Sequence, residues 1–395
     1  MAKRHVGTKT VRAKGPKKVL VGPLHGSVWE RSVLRGIVRH GVATGTIRFG
    51  YAGLGELSGP LPWQRLLGRG IDGVIARLYP QEFADAIVRS GLPAVNVSNV
   101  VLPGIDIPRV AIDLEAVAVL AADHLAGLGL KSFAYMGVAG FADCVLQREA
   151  FVARLATHGI REVPTFWDTI EDDIDSTRLE AFLRDLPKPV GLFTRIAAFG
   201  LFALRACEAA GIAVPDEVAV LAGDDDPILA EAFSPSLSAV DIAAERVGVR
   251  AVEVLESLLT GRTLPQDQFL LPPLGIISRK STDVFVSHEP AVAGALRYIR
   301  DHYHEPLQIN HVARHARVSR RLLEKLFHDT LGRSPLQEVR RVRLAEAKNR
   351  LVMSDDSLKV IAKACGFSTP QLLIRSFTRD VGMSPGRYRE SHRLA

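Results

Sequence analysis

Near its carboxyl end the chain repeats itself. Leu322, Leu323, Lys325, Phe327, Gly332 and Pro335 recur as Leu372, Leu373, Arg375, Phe377, Gly382 and Pro385, each fifty residues further on. The repeated stretches, VARHARVSRRLLEKLFHDTLGRSP (312–335) and VIAKACGFSTPQLLIRSFTRDVGMSP (360–385), follow one plan. Val312, Ala313 and Ala316 put an apolar stripe on a short helix. Arg317-Val318-Ser319 then makes a tight turn in which Ser319 is a good N-cap. Leu322, Leu323, Leu326 and Phe327 line the buried side of a second helix. The other copy has Ile361, Ala362 and Cys365, then Gly366-Phe367-Ser368, then Leu372, Leu373 and Phe377. Small residues at a helix crossing, a short turn and a capped second helix describe a helix-turn-helix, here made twice.

The residues left outward on the second helices are Arg320, Arg321, Glu324 and Lys325 in one copy, and Thr369, Pro370, Gln371, Ile374 and Arg375 in the other. Arg and Lys can pair with guanine O6/N7 and Gln with adenine, each good bidentate contact giving ~1–3 kcal/mol of discrimination. Arg333, Arg379 and the helix N-termini suit phosphates. Charge points the same way. Residues 288–395 hold twenty Lys/Arg against eleven Asp/Glu, residues 1–18 hold seven and none, and the total of +7 leaves the body acidic. A basic end on an acidic body is the pattern of a module that meets a polyanion, joined to one that does not. A merely solvated basic helical face is the plainer alternative.

The acidic body has a different rhythm. KKVLVGPL, DGVIARL, PAVNVS, RVAID, SFAYMG, PVGLFT and EVAVLAG are short apolar runs bounded by Gly, Pro or Asp, the length of strands buried on both faces. Between them lie helical patterns at 114–129, 143–159 and 198–211, most stopped by a glycine. Repeated βα units predict parallel sheet with helices on both sides, as two doubly wound lobes or one barrel. The segment 276–290 breaks the pattern and reads as a linker, with its core at 286–290. The domains expected are a disordered basic tail (1–16), the βα body (17–285) and an all-α domain (291–391). Cys144, Cys207 and Cys365 are too scattered for a disulfide framework or a metal spacing. No apolar run reaches the ~18 residues of a membrane span, and no signal peptide is visible. The cytoplasm is the expected compartment, with no membrane partner.

Two helix-turn-helix units ending GFSTPQLLIRSFTRDVGMSPGRYR resemble the AraC/XylS-type DNA-binding domain over roughly 290–391. That resemblance implies that both second helices enter successive major-groove segments of duplex DNA, at tandem half-sites. PLQEVRRVRLAEAKNRLVMS (335–354) would be the helix that joins them. The aromatic often found in the second copy is here Leu372, and Pro370 stands where a first helical turn tolerates it. The body, through PVGLFTRIAAFGLFALRACEAAGIAVPDEVAVLAGDDDP, FSPSLSAVDIAAERVGVRAVEVL, QREAF and IISRKST, resembles the ligand-binding domain of LacI-type regulators. The fold class implied is an α/β two-lobed, periplasmic-binding-protein-like sensor followed by an all-α AraC-type domain with two helix-turn-helix units. That order resembles xylose-operon regulators. It implies a sugar effector, D-xylose foremost, a homodimer, possible contact with RNA polymerase, and activation of transcription.

A sugar offers hydroxyls and an apolar face, so its site wants ionic acceptors, fork-shaped donors and an aromatic plane. Arg148, in the position that the resemblance gives to a sugar-binding arginine, can donate two parallel bonds. Asp224 follows a strand and can accept two, and Thr194 ends PVGLFT. Ser27 and Trp29 follow the first strand, Arg77 ends DGVIARL, and Asp143 opens the helix that carries Arg148. Arg195 stands where relatives usually have an acid. Asp224-Asp225-Asp226 could ligate a metal, but consecutive residues diverge, so one ligand-facing Asp beside an N-cap is the reading. His302, His304, His311 and His315 lack a Glu or Cys to complete a zinc site and are expected at the surface or facing DNA. Neither a phosphate loop nor a nucleophile elbow is visible, so no enzyme, cofactor or metal is expected. The rival readings are a sugar-binding protein of a transport or chemosensory system with a fused helical tail, and a sugar-modifying enzyme.

Overall fold

The computed structural model describes residues 16–22, 24, 26–51, 67, 70–168, 175–284, 289–354 and 356–392. The basic tail at 1–16 (but for Pro16) and the linker core at 286–288 lie outside them. Chain order begins β1 (Lys17–Val21), α1 (Val28–Thr44), β2 (Ile47–Tyr51), β3 (Gly73–Ala76), α2 (Gln81–Ser90), β4 (Ala94–Asn96) and β5 (Arg109–Ile112). The chain then enters a second lobe through α3 (Leu114–Gly127), β6 (Ser132–Val138), α4 (Ala142–Thr157), β7 (Thr165–Asp168), α5 (Ser176–Asp185), β8 (Val190–Thr194), α6 (Ala197–Ala210), β9 (Val218–Ala222), α7 (Pro227–Ala232) and β10 (Ser238–Asp241). It goes back through α8 (Ala244–Leu259) and β11 (Gln268–Leu271), and returns once more as β12 (Gly275–Ile277).

The outcome is two six-stranded sheets, ordered β11-β5-β4-β3-β1-β2 and β12-β10-β9-β8-β6-β7. All pairings are parallel except β10 with β12. The barrel alternative is thereby removed. Both lobes bury their strands on two faces, as the fully buried runs Gly73–Ala76, Val190–Thr194 and Val218–Ala222 show. The α1 and α8 helices cross almost backbone to backbone. A Cβ on Gly36 would lie 2.1 Å from Glu245 O, and one on Gly248 2.1 Å from Val33 O, so only glycine fits at this crossing.

The stretch read as a linker is largely structural. Beyond β12, Arg279 is buried, with Nε donating to Glu231 Oε1 (2.6 Å) and Nη1 to Asp225 Oδ1 (2.7 Å) and Leu237 O (2.8 Å). Ser281 Oγ donates to Val220 O (2.6 Å). Polar residues that look like loop in sequence here satisfy sheet-edge groups that would otherwise be buried without partners.

The carboxyl-terminal part is helical: α9 (Pro290–His302), α10 (Ile309–His315), α11 (Arg320–Leu331), α12 (Pro335–Met353), α13 (Leu358–Ala364), α14 (Pro370–Val381) and α15 (Pro385–His392). It holds two small cores. Val292, Leu296, Ile299, Val312, Leu323, Phe327 and Val339 form the first. Leu344, Ala347, Leu351, Ile361, Cys365, Leu373 and Phe377 form the second. The long α12 therefore serves both: its start packs into one core and its end into the other. Each unit is a support helix plus a helix-turn-helix, with α12 supporting the second as α9 supports the first.

Candidate effector cleft and nucleic-acid interface

The candidate ligand residues stand at the carboxyl ends of parallel strands, where open α/β sheets place their sites. In the first lobe the β1–α1 turn is closed by a capping box. Ser27 Oγ accepts from Glu30 N (3.2 Å), and Glu30 Oε2 accepts from Ser27 N (2.9 Å) and Gly26 N (2.7 Å). The Ser27 hydroxyl is thus engaged in starting α1. Arg77 Nη1 donates to Glu30 Oε1 (3.0 Å), so Glu30, which sequence reasoning passed over, anchors both the helix and the arginine. Trp29 packs as a half-buried ring against the hydrophobic core.

In the second lobe Asp143, Thr194, Arg195 and Asp224 gather around the ends of β6, β8 and β9. Arg195 Nη2 donates to Asp143 Oδ2 (2.9 Å), with the two side chains 15% and 12% exposed. Burial pulls the Arg195 guanidinium down, but the Asp143 carboxylate beside it prevails and the net direction is up. Asp224 Oδ1 accepts from Ala197 N (2.5 Å), and burial pushes this carboxyl up to about 6 despite that bond. Thr194 is buried and its hydroxyl donates to Ile196 O (3.1 Å). Asp225 and Asp226 diverge from Asp224 as expected: Asp225 binds Arg279, and Asp226 caps α7 through Leu229 N.

Arg148 is placed differently from expectation. Its Nε donates to Thr165 Oγ1 (2.6 Å) at the start of the edge strand β7, not into the Asp143–Arg195–Asp224 group. Its neighbour Gln147 is the fully buried residue of that helical turn. Tyr135 Oη lies 3.0 Å from Gln147 Oε1 and 3.2 Å from Cys144 O, in donating geometry to both. The inward stripe Cys144, Gln147, Phe151, Leu155 is the available signal, but helical periodicity alone admits either 147 or 148.

In the helical part, Ser319 Oγ caps α11 through Leu322 N (3.2 Å) and Thr369 Oγ1 caps α14 through Leu372 N (3.3 Å). Residues 321–330 and 371–380 have identical exposure patterns, position by position. Arg320, Arg321, Glu324, Lys325, Gln371 and Arg375 are all exposed. Arg320 Nε is tied to Glu324 Oε1 (2.8 Å) and Arg379 Nε to Asp380 Oδ1 (2.7 Å). Arg333 corrects the sequence reading. It turns inward, Nε donating to the buried Glu338 (2.6 Å), which also receives Arg341. Arg340 Nε reaches Asp380 Oδ2 (3.1 Å). Thus α12 is pinned to the end of the first unit by Glu338 and to α14 by Arg340. His302 and His315 stack on the Tyr298 ring at 4.2 and 4.5 Å, with His315 exposed at the surface as expected and His302 half-buried.

Residues 122–282 match the periplasmic binding protein-like domain family, and residues 312–391 match a helix-turn-helix domain family. A xylose operon regulatory protein of Haemophilus influenzae is 27% identical over 333 residues, 81% of this chain and 85% of that protein. The chain is a relative of the xylose operon regulatory proteins. Its counterpart in Escherichia coli K12 is 26% identical over 333 residues, 81% of this chain and 84% of that protein. A solved structure described as the xylose-binding transcription activator xylR aligns with 96% of this chain and 99% of its own at TM-score 0.61 and 23% identity. A LacI family transcriptional regulator from Enterococcus faecium with bound ribose covers 68% of this chain and 99% of its own, with TM-score 0.56 and 17% identity. The two-lobed fold followed by a helical domain is the architecture shared with the solved xylR structure.

Proposed function

We propose that the chain is a sugar-responsive, DNA-binding transcription regulator acting in the cytoplasm, where its DNA lies. The observation that carries this is the pair of equally exposed second helices, α11 and α14, held on one shared helix after a two-lobed α/β body. Their outward Arg321, Lys325, Gln371 and Arg375 supply groups that read base edges, while fixed spacing along α12 suits neighbouring half-sites. Effector binding closes the lobes, and closure re-sets how a homodimer presents its units to DNA. Linkage requires that DNA alter effector affinity by the same factor. D-xylose, named for the relatives, is the reference effector, and activation through RNA polymerase is the expected output.

The test is fluorescence anisotropy of the full chain with duplexes from its own promoter region. Binding should weaken steeply with salt, and the affinity should change when a sugar effector is added. A chain that bound no duplex even at low salt would overturn the reading.

A further inference from the structure

The last described residues of the α/β body are fastened to its second lobe. Ser281 N donates to Ser236 O (2.9 Å), Ser238 N donates to Ser281 Oγ (2.8 Å), and Thr282 Oγ1 donates to Ser238 Oγ (2.7 Å). His124 Nε2 of α3 lies 3.2 Å from Thr282 Oγ1. Ser238, Ser281 and Thr282 are buried, so this strap moves with the lobe. One residue further on, Asp283 meets the helical domain. Arg300 Nη1 of α9 donates to the Asp283 carbonyl, and Arg300 Nε stands 3.5 Å from both Asp283 Oδ2 and Asp301 Oδ1. Partial burial raises the Asp283 carboxyl, with Arg300 and Arg341 acting against it. Burial, with Arg341 nearby, pushes the His124 imidazole down to about 4. Arg341 of α12 therefore stands close to the same joint, next to a histidine that is neutral at pH 7. In turn α9 packs Val292, Leu296 and Ile299 against Leu323 and Phe327 of α11. Among the described residues, no helix of this domain packs broadly on a strand or helix of either lobe. Coupling between distant sites is carried by packed or bonded elements, so a small interface concentrates it.

We propose that Asp283 and Arg300 are positioning residues, the joint through which the second lobe fixes the pose of α9 and α11 and effector and DNA influence one another. The inference rests on the chain being a sugar-responsive DNA binder. The two side chains are 44% and 35% exposed. A half-exposed ion pair adds little to stability, so its loss should uncouple the domains without unfolding either.

The test is fluorescence anisotropy of the full chain on its promoter duplex, with and without D-xylose, D-ribose or D-xylulose, beside calorimetry of each sugar without DNA. In the wild type one sugar should shift the duplex Kd by about 5- to 150-fold. Asp283→Ala and Arg300→Ala should each reduce that shift to less than about threefold, and the double variant should lose no more than either. Arg300→Lys, which keeps a charge within reach of Asp283, should retain part of the shift. The Kd for the sugar alone and the melting transition should stay those of the wild type. A full shift in both folded alanine variants, or losses that add in the double variant, overturns the joint while leaving the proposed function intact. Loss of the sugar's own binding in either variant also overturns it, because the pair would then belong to the cleft. A wild-type chain that binds duplex but responds to none of the three sugars overturns the inference together with the sugar-responsive reading.

Discussion

In the first helix-turn-helix unit the backbone reverses at Arg317, with φ 57°, and in the second at Gly366, with φ 75°. The first helices of the two units correspond at an offset of 49 residues (Val312 with Ile361, Ala313 with Ala362, Ala316 with Cys365), whereas the second helices correspond at 50. The second turn is one residue longer. Yet Leu323 and Leu373, and Phe327 and Phe377, are all fully buried, and the outward positions match one for one. What the two units share is therefore the pose of the outward helix over its core, and the turn is free to differ. Arginine in the left-handed region costs about 1–2 kcal/mol, whereas glycine adopts it freely. Glycine is also required for space at the second turn. A Cβ on Gly366 would lie 2.3 Å from Tyr303 O and 2.9 Å from Arg343 Nε.

The comparison can be broken most directly at the cores. Phe327→Ala and Phe377→Ala should each cost about 3–5 kcal/mol in denaturant unfolding and weaken duplex binding alike. A large difference between them would mean that the units are not equivalent supports. Next in size, Gly366→Ala should destabilise by about 2–4 kcal/mol through strain and the clash with Tyr303, seen as a lowered melting temperature.

Smaller effects separate reading from holding. Arg375→Ala should lose about 1–3 kcal/mol on the preferred duplex and relax one base position, whereas Arg379→Ala should weaken all duplexes evenly and lower the salt slope by about 1. Matching losses of specificity from both, in anisotropy across a set of single-base variants, would remove the distinction. The smallest effect runs the other way. Arg317→Gly should gain no more than about 1 kcal/mol, since relief of strain is offset by the freer unfolded chain.

The βα rhythm was legible because parallel strands buried on both faces are continuous apolar runs, and SFAYMG, PVGLFT and EVAVLAG fall within or across β6, β8 and β9. Ile47–Tyr51, Thr165–Asp168 and Ser238–Asp241 were not singled out. All three interleave polar residues with apolar ones, the first two at sheet edges and the third between Ser238 and Asp241, so none reads as a continuous apolar run. The site was only half legible. The sequence pointed to Asp143, Thr194 and Asp224 because Thr194 ends a strand, Asp224 stands just beyond one and Asp143 opens a helix. The structure gathers the three at one end of the sheet. Arg148 is singled out by the resemblance, and the inward place of Gln147 one residue before it is not legible because periodicity cannot tell adjacent positions apart. Arg333 was assigned to phosphate because its charge is visible in sequence and its partner Glu338, five residues on across a turn, is not.

By itself the sequence determined the two architectures, the order in which they follow one another and most residues of each helical core, because burial is written in periodic apolar spacing. Leu322 and Leu372, expected inside, are instead both 43% exposed beside the buried Leu323 and Leu373. Only the tertiary structure decided which polar groups remain available. It showed Ser27 engaged as a cap, Arg77 and Arg333 held by glutamates, and Arg195 paired with Asp143. The physical reason is that a hydrogen bond joins groups close in space, and proximity across lobes and helices is set by packing, not by position along the chain.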